Sequence, residues 1–145
     1  MTHVLEFSFP VEGRGFSKAG DAASRVKQLL KQAAIPTAFI RRAVVVAYEA
    51  ELNMIIHSNG GTLELLVSQE EVVIRAMDIG PGIQDVEKAM LEGFSTAPPE
   101  ARKLGFGGGM GLPNMRRSAD ELHIESDPEL GTVITAVIHL RANTV

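Results

Sequence analysis

Near the start of the chain Leu5, Phe7 and Phe9 alternate with Val4, Glu6 and Ser8. This two-residue period predicts a strand, ended by Pro10. The period then lengthens. Ala22, Val26, Leu29, Leu30 and Ala33 recur at helical spacing and predict a helix that begins near Ser17 or Asp21 and stops at Pro36. Thr37 is placed to cap a second helix running to about His57. That helix is apolar nearly all round, through Ile40, Val44, Val45, Val46, Ala47, Leu52, Ile55 and Ile56. The turn Ser58-Asn59-Gly60-Gly61 separates it from two strands, 62–68 and 71–78, joined as a hairpin. Asp78-Ile79-Gly80-Pro81-Gly82 breaks the second strand, 84–91 reads as a short helix, and 92–110 is a long stretch rich in Gly, Pro and small residues. A further helix begins near Leu112, with Pro113 in its first turn. Strands at 122–126 and 132–140 close the chain around the turn Asp127-Pro128-Glu129-Leu130-Gly131.

The order β-α-α-β-β-loop-α-β-β predicts the α+β class: a two-layer α/β sandwich, a mixed sheet with three main helices on one face. The 145 residues suit a single domain, 1–145. A loop as long as 92–110 inside such a domain suggests a functional lid.

Composition narrows the function. With 45% apolar and 22% charged residues the chain is an ordinary globular protein. A net charge of −4 without a long basic run argues against nucleic acid and anionic membrane as partners. No apolar stretch reaches the length of a membrane span, and the first residues lack the plan of a signal peptide, so a cytoplasmic setting is expected. The absence of cysteine excludes disulfides, thiolate metal sites and cysteine nucleophiles. His3, His57, His123 and His139 are scattered without metal-ligand spacing.

Four places carry candidate chemistry. Glu49 and Asn53 stack on one face of the second helix, with His57 one turn on. A carboxylate and a carboxamide there suit a Mg²⁺ and phosphate site, since Mg²⁺ takes few protein ligands and fills its octahedron with water and phosphate oxygens. A solvated stripe is the other reading, and Glu51 reads as that alone. Asp78 shares the phase of Val72, Ile74 and Ala76 and so points inward at the end of its strand. With Gly80 and Gly82 beside it, it suits a flat, donor-bearing ligand such as adenine, or else a glycine-rich turn. Thr132 has the phase of Ile134, Ala136 and Ile138, as a packed residue or a ligand contact. Finally, five of the seven residues from Gly105 to Gly111 are glycine. The run lacks the Lys and Ser/Thr that follow a P-loop and the strand that precedes a Rossmann fingerprint. It leads into the start of a helix, which suits an anion, although a linker has the same composition.

Taken together and in this order, these residues resemble the GHKL ATPases, the superfamily of gyrase, heat-shock chaperones, histidine kinases and MutL. Glu49-x-x-x-Asn53 resembles its N-box, Asp78-Ile-Gly80-Pro-Gly82 its first glycine box, Gly107-Gly-Gly109-Met-Gly111-Leu112 its second, and Gly131-Thr132 its late Gly-Thr pair. Within the superfamily the chain is similar to the small anti-sigma and switch serine kinases of bacterial partner-switching systems. The resemblance implies the Bergerat fold with an ATP lid at about 92–111, and ATP and Mg²⁺ as cofactors. It implies that Asn53 holds Mg²⁺ and that Glu49 is a general base acting on a protein hydroxyl. Asp78 would bind the adenine amino group with Thr132 nearby, Gly80 and Gly82 would let the backbone pass the base, and Gly107, Gly109, Gly111 and Leu112 would form the phosphate cradle. The implied partners are a STAS-type antagonist, phosphorylated on Ser or Thr, and a sigma factor. A nucleotide-gated binding switch without phosphotransfer and a stand-alone histidine-kinase-like ATPase domain are the competing readings. The segment 97–106 is longer than the branch's usual lid, and Met110 stands where Leu is commoner. The first strand, if at a sheet edge, could pair across a homodimer.

Overall fold

The computed structural model describes residues 5–80, 90, 111–127 and 129–140. Its elements run β1 (Leu5–Glu12), a 3₁₀ turn (Phe16–Lys18), α1 (Asp21–Gln32), α2 (Thr37–His57), β2 (Gly60–Val67), β3 (Glu71–Asp78), α3 (Gly111–Ser118), β4 (Glu121–Asp127) and β5 (Gly131–His139). The predicted helix at 84–91 lies outside the described residues except for Met90, which packs on the core. The lid expected at 92–111 lies outside them except for Gly111.

The strands form one sheet in the order β1-β2-β3-β5-β4, and every neighbouring pair is antiparallel. The expected mixed sheet is therefore corrected to an antiparallel one. The chain does return from β3 to β4 in the same direction, as a crossover requires. It lands one position too far for the two to pair, and β5, the hairpin partner of β4, fills the gap antiparallel to both.

The two-residue period of the strands decides which face meets the helices. Phe9, Leu63, Leu65, Val72, Ile74, Ala76, Ile134, Ala136 and Ile138 are buried on that face, while Arg75 is exposed on the other. Against them pack Val26 and Leu30 of α1, Ala43, Val46, Ala47, Ala50 and Met54 of α2, and Leu112 and Met115 of α3. α2 lies between α1 and α3 and over the sheet. Its flanks and its underside are all covered, which is why its apolar residues do not form one stripe. Arg42 fastens this layer at one end: its Nε donates to Ser118 O at 2.9 Å, and its guanidinium pairs with Asp120 at 3.0 Å.

Three local expectations change. β1 continues through Pro10 to Glu12, because an edge strand with a single neighbour tolerates a missing N–H. Pro36, with φ −58° and ψ 142°, is the N-cap of α2, and Thr37 is already its first helical residue without a capping hydrogen bond. Glu51 is not solvated. It is 3% exposed, and its two carboxylate oxygens accept hydrogen bonds from Ala22 N and Ala23 N, each at 3.1 Å. α1 has Gly20 as its N-cap residue and thus no capping side chain of its own. Glu51, across from it on α2, supplies one.

Candidate functional site

Backbone from three separate segments converges at the C-terminal end of β3. Ile79 N donates to Gly60 O at 3.0 Å, Asn59 N to Ile79 O at 3.2 Å and Asn59 Nδ2 to Gly80 O at 3.3 Å, which ties β3 to the start of β2. Gly80 N donates to Leu130 O at 3.0 Å, which ties it to the β4–β5 turn. Two glycines permit this approach. A Cβ on Gly80 would lie 2.9 Å from Glu129 O. Gly131, at φ +126°, has a backbone that L side chains rarely adopt, and a Cβ there would meet the Asp78 carboxylate at 2.9 Å.

Asp78 stands in the middle of this junction, half-buried, on the inward face as its phase predicts. Its Oδ1 accepts the Thr132 backbone N–H at 2.7 Å. Burial raises the Asp78 pKa, and the Thr132 N–H acts in the opposite sense without cancelling that rise. A half-desolvated carboxylate with one oxygen fixed by the backbone and a second oxygen left to accept among the described residues suits a ligand N–H donor. Thr132 serves this arrangement through its main chain. Its side chain is 2% exposed, and its hydroxyl lies 2.9 Å from the Ser126 hydroxyl on the neighbouring strand β4. Ser126 was missed in the sequence, where it is one more residue in an alternating strand. Only the register Ser126↔Thr132 brings it to the site.

The second group of residues lies on α2. Glu49 and Asn53 are both half-buried on a helix most of whose other side chains are covered. Residues two apart on a helix are about 200° apart around its axis, so Glu49 and Glu51 face opposite flanks. Glu51 turns to α1, and Glu49 turns to α3, where it accepts a hydrogen bond from Asn114 Nδ2 at 2.6 Å. Asn114 was not among the sequence candidates. Arg117 in turn donates to Asn114 Oδ1. His57 is half-buried at the C-terminal end of α2, and burial first, then the Arg14 charge, lowers its pKa. Arg14 itself donates to Ile56 O at 2.7 Å, putting a cation on the carbonyl end of the helix, where its charge is favourable.

α3 begins at Gly111, and a Cβ there would meet nothing within 4 Å. Leu112 behaves differently from a ligand contact: its side chain is 6% exposed within the core, so only its backbone could reach a phosphate. Gly82, Gly107 and Gly109 lie outside the described residues, as do Arg102 and Lys103. Among the described residues no group of three His, Cys, Asp or Glu side chains could hold a metal ion. No helix among them is long and apolar enough to cross a membrane.

Comparison with known proteins agrees with this geometry. The family model of histidine kinase-, DNA gyrase B-, and HSP90-like ATPases matches residues 40–142, from α2 past the end of β5. The anti-sigma F factor of Thermoanaerobacter sp. (strain X514) is 32% identical over 138 residues, covering 92% of this chain and 91% of that protein. The anti-sigma F factor of Bacillus subtilis (strain 168) is 33% identical over 143 residues, 94% and 90% of the two chains. The serine/threonine-protein kinase RsbT of the same bacterium is 43% identical over a shorter stretch of 68 residues, 47% of this chain and 45% of that one. The family match spans well over half the chain, and it includes α2 with Glu49 and Asn53, β3 with Asp78, and the β4–β5 hairpin with Thr132. The chain belongs to the histidine kinase-, DNA gyrase B- and HSP90-like ATPase family.

Proposed function

We propose that the protein is an ATP-dependent anti-sigma regulator and protein serine/threonine kinase of a bacterial partner-switching system. The whole chain would act as one kinase domain in the cytoplasm, phosphorylating a STAS-type antagonist and binding a sigma factor. Its likeness to anti-sigma F factors over nine-tenths of both chains supports the regulatory role. Glu49 carries the case for transfer. A module that only binds nucleotide needs no base, yet this carboxylate is kept half-open and fixed by one oxygen.

Each residue then has a task. Asp78 accepts the adenine amino group on the oxygen not taken by Thr132, and Gly80 keeps the backbone low beside the base. Asn53, one turn from Glu49, offers Mg²⁺ a single hard oxygen, a donor set that fits an ion whose other ligands are phosphate oxygens and water. Mg²⁺, when bound, would neutralise phosphate charge. Glu49 takes the proton of the partner's Ser or Thr hydroxyl as that oxygen bonds to the γ-phosphorus and the bond from phosphorus to the ADP oxygen breaks. Phosphoryl transfer asks mainly for such positioning and charge neutralisation.

The test combines the protein, Mg-ATP carrying a labelled γ-phosphate and the STAS-type antagonist from the same organism. Label on a Ser or Thr of the antagonist is expected. Tight binding of an antagonist that stays unlabelled would leave a nucleotide-gated switch instead of a kinase.

Asp78→Asn isolates the nucleotide half of the proposal. The remaining carbonyl oxygen can still accept the Thr132 N–H, so the fold is kept. The new amide nitrogen then faces the adenine amino group, donor against donor. Leaving such a pair unmade costs about 1–3 kcal/mol, so ATP affinity should fall roughly ten- to a hundredfold. Because burial raises the Asp78 pKa, ionised Asp78 lowers stability as pH rises through and above the aspartate range, and the ligand-free variant should melt no lower than wild type at neutral pH. Thermal shift against an ATP series reads both effects. An unchanged ATP-induced shift in the variant would remove Asp78 from the adenine site.

A further inference from the structure

We infer that Asn114 is a positioning residue for the base, and that Arg117 acts through it. Asn114 lies in the first turn of α3, and its Nδ2 donates to Glu49 Oε2 at 2.6 Å across 65 residues of sequence. Its Oδ1 accepts from Arg117 one turn further along the same helix. The result is a chain, guanidinium to carboxamide to carboxylate, running from an exposed cation to the half-buried Glu49.

The two ends of the carboxamide make this more than a packing contact. Arg117 occupies the Asn114 oxygen, so the amide cannot flip and present oxygen to Glu49 without breaking the guanidinium bond. The nitrogen therefore stays aimed at Glu49. A donor on one carboxylate oxygen fixes the plane of the carboxyl group. Among the described residues no group occupies the other oxygen, Oε1, by a hydrogen bond, and that oxygen takes the proton. Arg117 polarises the amide, which strengthens its bond to Glu49. α3 also buries Leu112 and Met115 in the core beneath α2, so the donor is carried on a rigid element.

This role rests on the reading of Glu49 as the base, and the experiment separates the two. Asn114→Asp keeps the shape and removes the N–H donor; Asn114→Ala removes both polar atoms. Each is compared with wild type in single-turnover transfer from Mg-ATP to the STAS-type partner over a range of ATP concentrations, with ATP binding followed by thermal shift. Both variants should bind ATP as wild type does and transfer roughly ten- to a hundredfold more slowly, the scale of one hydrogen bond to a charged group. The loss should appear in the rate of transfer at saturating ATP and leave half-saturation by ATP where it is in wild type. Arg117→Ala should show the same loss of rate in smaller measure and add nothing to Asn114→Ala. On a Glu49→Gln background, Asn114→Ala should have no further effect. If Glu49→Gln abolishes transfer while both Asn114 variants keep the wild-type rate, the positioning role is wrong and the base assignment stands. If Glu49→Gln transfers normally, the base assignment itself falls. A rate loss in the Asn114 variants that tracks a lower melting temperature and persists on the Glu49→Gln background would mark Asn114 as structural.

Discussion

Glu49→Ala is expected to bind ATP with wild-type affinity and to transfer phosphate roughly a hundred- to ten-thousandfold more slowly, the span that a positioned general base supplies. The separation follows from where the residue sits. Glu49 is half-buried on the flank of α2 that faces α3, and its one side-chain hydrogen bond among the described residues is to the Asn114 amide, not to the Asp78 junction at the end of the sheet. Removing the carboxylate therefore leaves the proposed adenine contact intact. It also leaves the core intact, because the residues that hold α2 down, Val46, Ala47, Ala50 and Met54, lie on other faces of the helix. Asn114 loses an acceptor but is itself half-buried, and water can replace what is lost. The measurement is a single-turnover transfer beside an ATP titration of melting temperature. A variant that transfers at the wild-type rate would take Glu49 out of the chemistry. One that no longer binds ATP would instead place Glu49 in nucleotide binding.

Periodicity made most of the fold legible. Alternation fixed the inward face of β3 and so the direction of Asp78, and Pro36 and the Ser58–Gly61 turn bounded α2 to within a residue at its start and at about His57 at its end. What failed was whatever depends on a neighbour distant in sequence. An antiparallel sheet and a mixed one have the same strand periods, and the insertion of β5 between β3 and β4 leaves no local mark. Asn114 and Ser126 are unremarkable in their own elements and matter only because α3 lies beside α2 and β4 beside β5. Thr132 was singled out as a side chain, yet it reaches Asp78 with its backbone. The signal that could have been used was angular. Glu49 and Glu51, two residues apart on a helix apolar nearly all round, must face opposite flanks, and a helix with two covered flanks has no solvated side for Glu51 to use.

That geometry sets the largest expected effect on folding. Glu51→Ala should destabilise the protein by about 2–4 kcal/mol, from a lost helix cap of about 1–2 kcal/mol and the void left by a buried side chain. Ala22 N and Ala23 N are buried, so water does not readily replace the carboxylate oxygens they lose. Gly20, without a side chain, cannot take over the cap. A loss of that size should lower the melting temperature by roughly 5–15 °C in a chain of this length. Glu51→Gln should fall between the two, since its single oxygen serves one N–H and its amide nitrogen opposes the other. The glutamine variant also carries a pH signature. Burial raises the Glu51 pKa above its ordinary value, with the Ala22 and Ala23 N–H groups opposing that rise. The folded state therefore holds the proton more tightly than the unfolded chain. Wild type loses stability as pH rises from the ordinary glutamate range through the raised value, and glutamine does not. The advantage of wild type over Glu51→Gln should thus be greatest at the acid end of that window and narrow above it, as read by urea unfolding at a series of pH values. A constant gap across the series would mean that Glu51 does not titrate in the folded protein as its burial requires. A Glu51→Ala protein as stable as wild type would mean that α1 does not depend on this cap.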